Sequence, residues 1–420
     1  MDSAQERPSS TGRRRRVLLC APFPPRLDAR HGGKATAQLL HRLAERNDLA
    51  LLCFRPEDGE GVDPAIGEKC ARVEEVPLTV GRSARRHFVW ALGLVRGIPP
   101  WAMNCRSADY ATRLARMLDE WRPDVVEVHL QAMAQYVEVV SRRNLPRILV
   151  DYDPPSAWAR DLLGVTAGPR RVARRAEIAA WRRYERATRP LFDAIVVFAE
   201  RDLAAVEASA GNASVIRIPL AVEVPTHPLD PKGSEPPRLL FIGGFAHPPN
   251  VDAALWLGRT VFPRVRERVP EAQLDIVGHE PSDDVRALAG EAVSVYASVA
   301  DVTPYLDRAA VVVAPIRLGG SMRMKVLEAM AAGKALVATP RAAEGVDAVP
   351  GQHFELASDE DELVEVLVRL LLDPARRRGL GDRAREWAEQ HLGWQHGVEA
   401  FEQLYDDLIG QRLGPERAFA

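Results

Sequence analysis

The chain has 420 residues, 46% of them hydrophobic and 27% charged, too long for one hydrophobic core to serve throughout, so two domains are expected. Its net charge of −2 supplies no basic field for a nucleic-acid partner. The four cysteines, Cys20, Cys53, Cys70 and Cys105, form no CxxC pair, which argues against a zinc site and fits a reducing cytoplasm. The first sixteen residues lack the apolar stretch of a signal peptide. Residues 1–15 read instead as a disordered basic tail, with attraction to an acidic membrane surface as the alternative. The best apolar run, 88–98, is too short to cross a bilayer and is interrupted by Arg96.

In chain order, apolar runs at 17–21, 49–54, 125–128, 148–150 and 194–198 read as strands covered on both faces. Helical spacing fills the segments 34–46, 107–121, 132–141 and 170–189 between them. Repeated βα units imply a parallel sheet, hence a domain over 16–217. Six prolines within 218–237 mark a linker. The pattern restarts with strands at 239–242, 274–277, 293–296, 311–314 and 336–339, giving a second domain over 238–394 with closing helices at 359–372 and 376–390. A last helix at 397–409 lies in 395–420, a segment expected to cross back to the first domain. Two doubly wound, Rossmann-like α/β domains would then face each other across a cleft, with ligands at the carboxyl ends of the strands.

The segment 311–344 concentrates the chemistry. Gly319 and Gly320 let backbone approach a ligand, and Ser321 can cap the following helix, aiming free N–H groups at an anion. Arg323 and Lys325 add positive charge, as a diphosphate leaving group requires, and Glu328, one turn beyond Lys325, can accept from ribose hydroxyls. A solvated helix face held by local ion pairs is the simpler alternative. Each domain also has a glycine turn after its first strand: Gly32-Gly33, and Gly243-Gly244 followed by His247 and Asn250. Neither turn matches GxGxxG, and GxxxxGK[ST], GxSxG and HExxH are absent, which argues against dinucleotide enzymes, P-loop NTPases and common hydrolases.

The runs IGGFAHPPNVDAALWL, LDIVGHEPS and VVVAPIRLGGSMRMKVLEAMAAGKALVATPRAAEGV resemble the carboxy-terminal half of glycosyltransferase family 4, above all through KVLEAMAAGKALVAT. HGGKATAQLLHRLAER, RPDVVEVH and LVDYDPPSAW extend the resemblance more weakly into the first half. It implies the GT-B fold and a retaining enzyme with no metal or other cofactor, closest to the sugar transferases of exopolysaccharide systems. Carried over by position, Glu328 is the second Glu of the family's E-x7-E motif, while Gly320 stands where the first would contact the transferred sugar. The family's Arg and Lys after the first carboxy-terminal strand are missing, leaving Arg323 and Lys325 to meet the diphosphate. Backbone up to Val299 would hold the base and Gly278 would line the donor pocket. Gly32 and Gly33 match the loop that closes over the donor phosphate, and His129 matches a histidine beside the transferred sugar. A strand-end histidine satisfied by backbone is the alternative for His129. Asp151 and Asp153 follow the next strand, where they either face the acceptor or simply shape the turn before Pro154.

The expected protein is a cytoplasmic glycosyltransferase using a nucleotide sugar and a glycan, lipid-linked or small-molecule acceptor. An epimerase or hydrolase on the same fold, or a non-catalytic nucleotide-binding scaffold, would share the donor pocket. The arginine-rich stretch 170–189, with Trp181 and Tyr184 between its charges, offers a peripheral contact with the inner face of a membrane, or else a solvated helix face.

Overall fold

The computed structural model describes residues 14–27, 33–57, 59–78, 90, 93–94, 96–164, 166, 168–299, 301–319 and 324–413. The first sheet comprises β1 (Arg16–Ala21), β2 (Asp48–Pro56), β3 (Arg72–Leu78), β4 (Val125–His129), β5 (Arg147–Val150), β6 (Ala194–Val197) and β7 (Ser214–Arg217). Their spatial order is β3-β2-β1-β4-β5-β6-β7, every pair parallel. The second sheet comprises β8 (Arg238–Ile242), β9 (Gln273–Gly278), β10 (Val293–Ala297), β11 (Val311–Ala314), β12 (Leu336–Ala338) and β13 (Glu355–Leu356). Their order is β10-β9-β8-β11-β12-β13, again parallel throughout. The architecture is therefore the expected pair of doubly wound α/β sheets. β3, β7 and β13, which the apolar pattern does not reveal, lie at sheet edges and carry charged residues.

Helices cover both faces of the first sheet. Tyr110, Leu114 and Trp181 pack on one side, and Leu40, Leu43, Phe401 and Tyr405 on the other. The last two belong to the closing helix Trp394–Leu413, so the chain's final helix docks on the first sheet. Residues 1–13 of the basic tail lie outside the described residues, but its last two arginines are bound. Arg14 donates to the Ala44 and Asn47 carbonyls at 2.6 and 2.9 Å, and Arg15 pairs with Asp406 at 2.6 Å. Cys20, Cys53 and Cys105 are buried free thiols, and Cys70 is half-buried.

The proline-rich connection is laid against the second domain. Leu229 N–H donates to Ala332 O at 3.1 Å and Ser234 N–H to Arg308 O at 2.9 Å. Three cations reinforce it. Lys334, fully buried, donates from Nζ to the carbonyls of Asp230 and Asp307, Arg377 to that of Lys232, and Arg385 to that of Pro225. Burial, the larger influence, brings the Lys334 ammonium down to about 8, and its two carbonyl acceptors can be served by the two N–H bonds of a neutral amine. Among the described residues no helix is long and apolar enough to cross a membrane.

Removing the Phe401 ring, 1% exposed, should open a cavity between the closing helix and the first sheet. Phe401→Ala is expected to cost about 3–5 kcal/mol, read as a lowered denaturation midpoint in urea.

Candidate functional site

In the second sheet the strand order reverses between β8 and β11, and the chain leaving those strands frames a crevice. β8 runs into Gly243-Gly244, and Gly278 closes β9 beside them. A Cβ on Gly278 would lie 1.8 Å from the Gly243 carbonyl oxygen, so the two backbones meet only because this residue is glycine. A Cβ on Gly243 would press on the Asn250 side chain at 3.0 Å. Asn250, in the helix Pro248–Trp256, donates from Nδ2 to Gly244 O at 2.8 Å and accepts from Lys325 Nζ at 2.6 Å. The Lys325 ammonium also lies 5.4 Å from the Phe241 ring centroid. Gly243, Gly244, Asn250, Gly278 and Lys325, separate in sequence, thus share one crevice.

Lys325 and the half-buried Glu328 ride on the helix Met324–Ala331, whose Val326, Ala329 and Met330 enter the core of the second domain. Gly319 takes φ +75°, and a Cβ there would also meet Pro249 at 2.7 Å. Val299 packs half-buried on the second core; its neighbour Ser298 has φ 54° and donates its N–H to Gly278 O at 2.8 Å. Gly33 opens the helix Gly33–Arg46. Gly32, Gly320, Ser321 and Arg323 lie outside the described residues.

Two of the expected groups are turned inward. His129 is 1% exposed, and both ring nitrogens are taken: Nε2 meets Glu127 at 2.9 Å and Nδ1 meets the Tyr152 hydroxyl at 3.2 Å. An ionised carboxylate only accepts, which assigns the proton to Nε2 and leaves Nδ1 to accept from Tyr152. Glu127 also accepts from the Tyr405 hydroxyl at 2.6 Å, and Thr36 donates to the Tyr152 oxygen at 3.1 Å. The histidine is satisfied by side chains rather than by backbone, and it has no ring nitrogen left for a ligand in the cleft. Asp151, fully buried, pairs with Arg189 at 2.8 Å instead of facing an acceptor. Arg189 in turn donates to Gln131 Oε1 at 3.0 Å and to Ser209 Oγ at 2.8 Å. Asp153 does border the space between the domains.

Apart from His247, the contacts across the cleft involve residues that the sequence reading did not single out. Arg341 pairs with Asp161 of the first domain at 2.5 Å, with Glu344 at 2.8 Å, and donates to Gly319 O at 2.8 Å. Arg201 of the first domain reaches Glu344 at 3.1 Å. Trp158 Nε1–H donates to His247 Nε2 at 3.3 Å, so His247 contacts the opposite domain. The available signal for Arg341 is its place just beyond the carboxyl end of β12.

The long basic helix runs Pro169–Thr188. Trp181 and Tyr184 are buried in the first domain, so they do not stand between the outward charges as a membrane anchor requires. Arg170, Arg171, Arg175, Arg182, Arg183 and Arg186 remain exposed.

Burial lifts the Asp151 carboxyl from 3.8 to about 6, against the opposing pull of Arg189. A raised folded-state value means that this group's stabilisation is complete below pH 3.8 and is lost as pH rises through about 6. Its full span is on the order of 3 kcal/mol. The unfolding free energy of the native chain, minus that of Asp151→Asn, should fall by that order between pH 3.8 and 6, measured by urea titration at each pH.

Residues 236–373 match the family described as glycosyl transferases group 1. Over 95 residues the chain is 27% identical to an uncharacterized glycosyltransferase of Methanocaldococcus jannaschii, a match covering 22% of this chain and 24% of that protein. The chain thus spans about a quarter of that relative's length. Sucrose-phosphate synthase from Thermosynechococcus elongatus superposes with a TM-score of 0.68 at 15% identity, over 94% of this chain and 99% of that one. Anabaena HepE in complex with UDP and glucose gives 0.59 at 12% identity, over 93% and 99%. A TarM mutant of S. aureus in complex with fondaparinux, alpha-GlcNAc-glycerol and UDP gives 0.63 at 10% identity, over 93% and 100%. The chain therefore has the GT-B fold, and its second domain carries the signature of group 1 glycosyltransferases.

Proposed function

We propose that the protein is a retaining glycosyltransferase that moves a sugar from a nucleoside-diphosphate sugar to an acceptor hydroxyl in polysaccharide or glycoconjugate synthesis. The observation that carries this reading is Lys325 held by Asn250 over the Gly243-Gly244 turn, in a domain that matches group 1 glycosyltransferases. The presence of UDP with glucose in HepE and of UDP with a glycan in TarM supports a nucleotide-sugar donor and a glycan acceptor.

In this reading Lys325 meets the diphosphate as its charge grows, a role that the resemblance also gives to Arg323, and Glu328 holds the ribose hydroxyls. Gly243, Gly278 and Gly319 let the turns that frame the crevice pack closely together. An acceptor hydroxyl bound on the face that the diphosphate leaves can pass its proton to a leaving-group oxygen as its own oxygen attacks the anomeric carbon. The new glycosidic bond then keeps the donor's configuration, and no carboxylate base is needed. Positioning and charge stabilisation supply the rate. His129 serves here as a buried support for Tyr152 and Thr36 rather than as a proton-transfer group. The reaction runs without a bound metal, so excess EDTA leaves turnover unchanged. The exposed arginines of helix Pro169–Thr188 give a peripheral contact with an anionic cytoplasmic membrane face.

Lys325→Ala should lower kcat by about 10²–10³, the scale for losing one charge-stabilising donor. Screening UDP- and other nucleotide sugars by thermal shift identifies the donor for that assay. Wild-type turnover in Lys325→Ala would remove the catalytic assignment, and an inverted product anomer by NMR would remove the retaining one. Binding to vesicles containing anionic lipid should weaken steeply as salt is raised. It should also be lost when Arg170, Arg171, Arg175 and Arg182 are replaced by Gln.

A further inference from the structure

The turn that follows β11 is tied to the turn that follows β12 at two points. Thr339 caps the short helix Pro340–Ala343 by accepting from Ala342 N–H at 3.2 Å, and its hydroxyl donates to the Ile316 carbonyl. Further along both turns, Arg341 donates from Nε to the Gly319 carbonyl at 2.8 Å. Gly319 is buried, so this bond is not one that water readily replaces. The first of these turns is also held from its other side. Arg317 makes paired bonds to the Asp252 carboxylate at 2.8 and 3.1 Å and lies 4.5 Å from the Trp256 ring centroid. Asp252 and Trp256 share the helix Pro248–Trp256 with Asn250, the partner of Lys325.

Each nitrogen of the Arg341 guanidinium has a different partner. Nε serves the Gly319 carbonyl, Nη1 pairs with Glu344 at 2.8 Å, and Nη2 pairs with Asp161 of the first domain at 2.5 Å. Glu344 is shared in turn with Arg201 of the first domain at 3.1 Å. A guanidinium is a rigid planar fork, so a carboxylate that seats one nitrogen also sets where the others point.

We propose that Arg341 is a positioning residue of the donor crevice, oriented by Asp161, so that the first domain sets the Gly319 turn without itself touching the donor. The effect on the donor rests on the reading given above, whereas control of the turn does not. Charge alone predicts the opposite sign for one variant. Neutralising Asp161 leaves its surroundings more positive, which favours an anionic nucleotide, while a displaced turn disfavours it.

Two readouts on the full chain test this: UDP affinity by titration calorimetry, and hydrogen exchange of the peptide containing Gly319 without nucleotide. Asp161→Asn should weaken UDP about threefold. Arg341→Lys keeps the charge but loses the fork, and should weaken UDP about tenfold. Both variants should speed exchange around Gly319 severalfold, with melting temperatures within about 2 °C of the wild type. The double variant should lose no more affinity than Arg341→Lys alone, because Asp161 acts through that one side chain. Unchanged exchange around Gly319, additive losses in the double variant, or UDP bound by Asp161→Asn at least as tightly as by the wild type would overturn the proposal. Should Arg341→Lys lower the melting temperature further, Asp161→Asn decides the matter. Faster exchange in both variants of a chain that binds neither UDP nor another nucleoside diphosphate would count against the donor reading and leave the control of the turn standing.

Discussion

The Gly243 carbonyl lies where a side chain on Gly278 would begin, and the crevice of the second sheet is built around that contact. Because the ends of β8 and β9 touch, the turn after β8 is held low, and Asn250 can bond the Gly244 carbonyl while still reaching Lys325. The ammonium is held by an amide oxygen and lies against the Phe241 ring, which places it over the turn. A larger residue at 278 would lift the turn and move Asn250 away from Lys325.

What the sequence revealed of the fold follows from burial. Strands such as 125–128 and 311–314, covered on both faces, are uniformly apolar and therefore legible. β3 and β13 sit at the rims, so RVEEVPL and EL carry charge that hides their strand character. The 218–237 connection is readable as a break from its prolines. Its attachment through Lys334, Arg377 and Arg385 is not, because each bond joins residues more than a hundred positions apart.

The site was legible in the same uneven way. The glycines and Lys325 follow strand ends in a doubly wound sheet, and topology alone carries such positions to one crevice. His129 and Asp151 also follow strand ends, yet topology does not say whether a side chain there turns to solvent or into the protein. That choice was made by distant partners: Tyr405, 278 residues from Glu127, completes the carboxylate that holds His129, and Arg189 captures Asp151. Breaking a buried pair such as Asp151–Arg189 costs about 3–5 kcal/mol, which makes these positions part of the domain's framework.

The contacts between the domains differ in strength from those that fasten the connection to the second domain. Val222 of the connection packs with Leu327, Ala331, Ala388 and Leu392 of the second domain in a buried apolar cluster, and each large side chain there is worth about 1.5–3 kcal/mol. The two domains themselves meet through the ion pairs Arg341–Asp161, Arg201–Glu344 and Arg217–Asp347, whose side chains stay 20–49% exposed. Such pairs contribute about 0.2–1 kcal/mol apiece. The ion pairs between the domains are therefore cheaper to separate than the connection is to lift from the second domain. Arg341 links the first domain to the crevice of the second sheet, because the guanidinium that grips Asp161 also holds the Gly319 carbonyl.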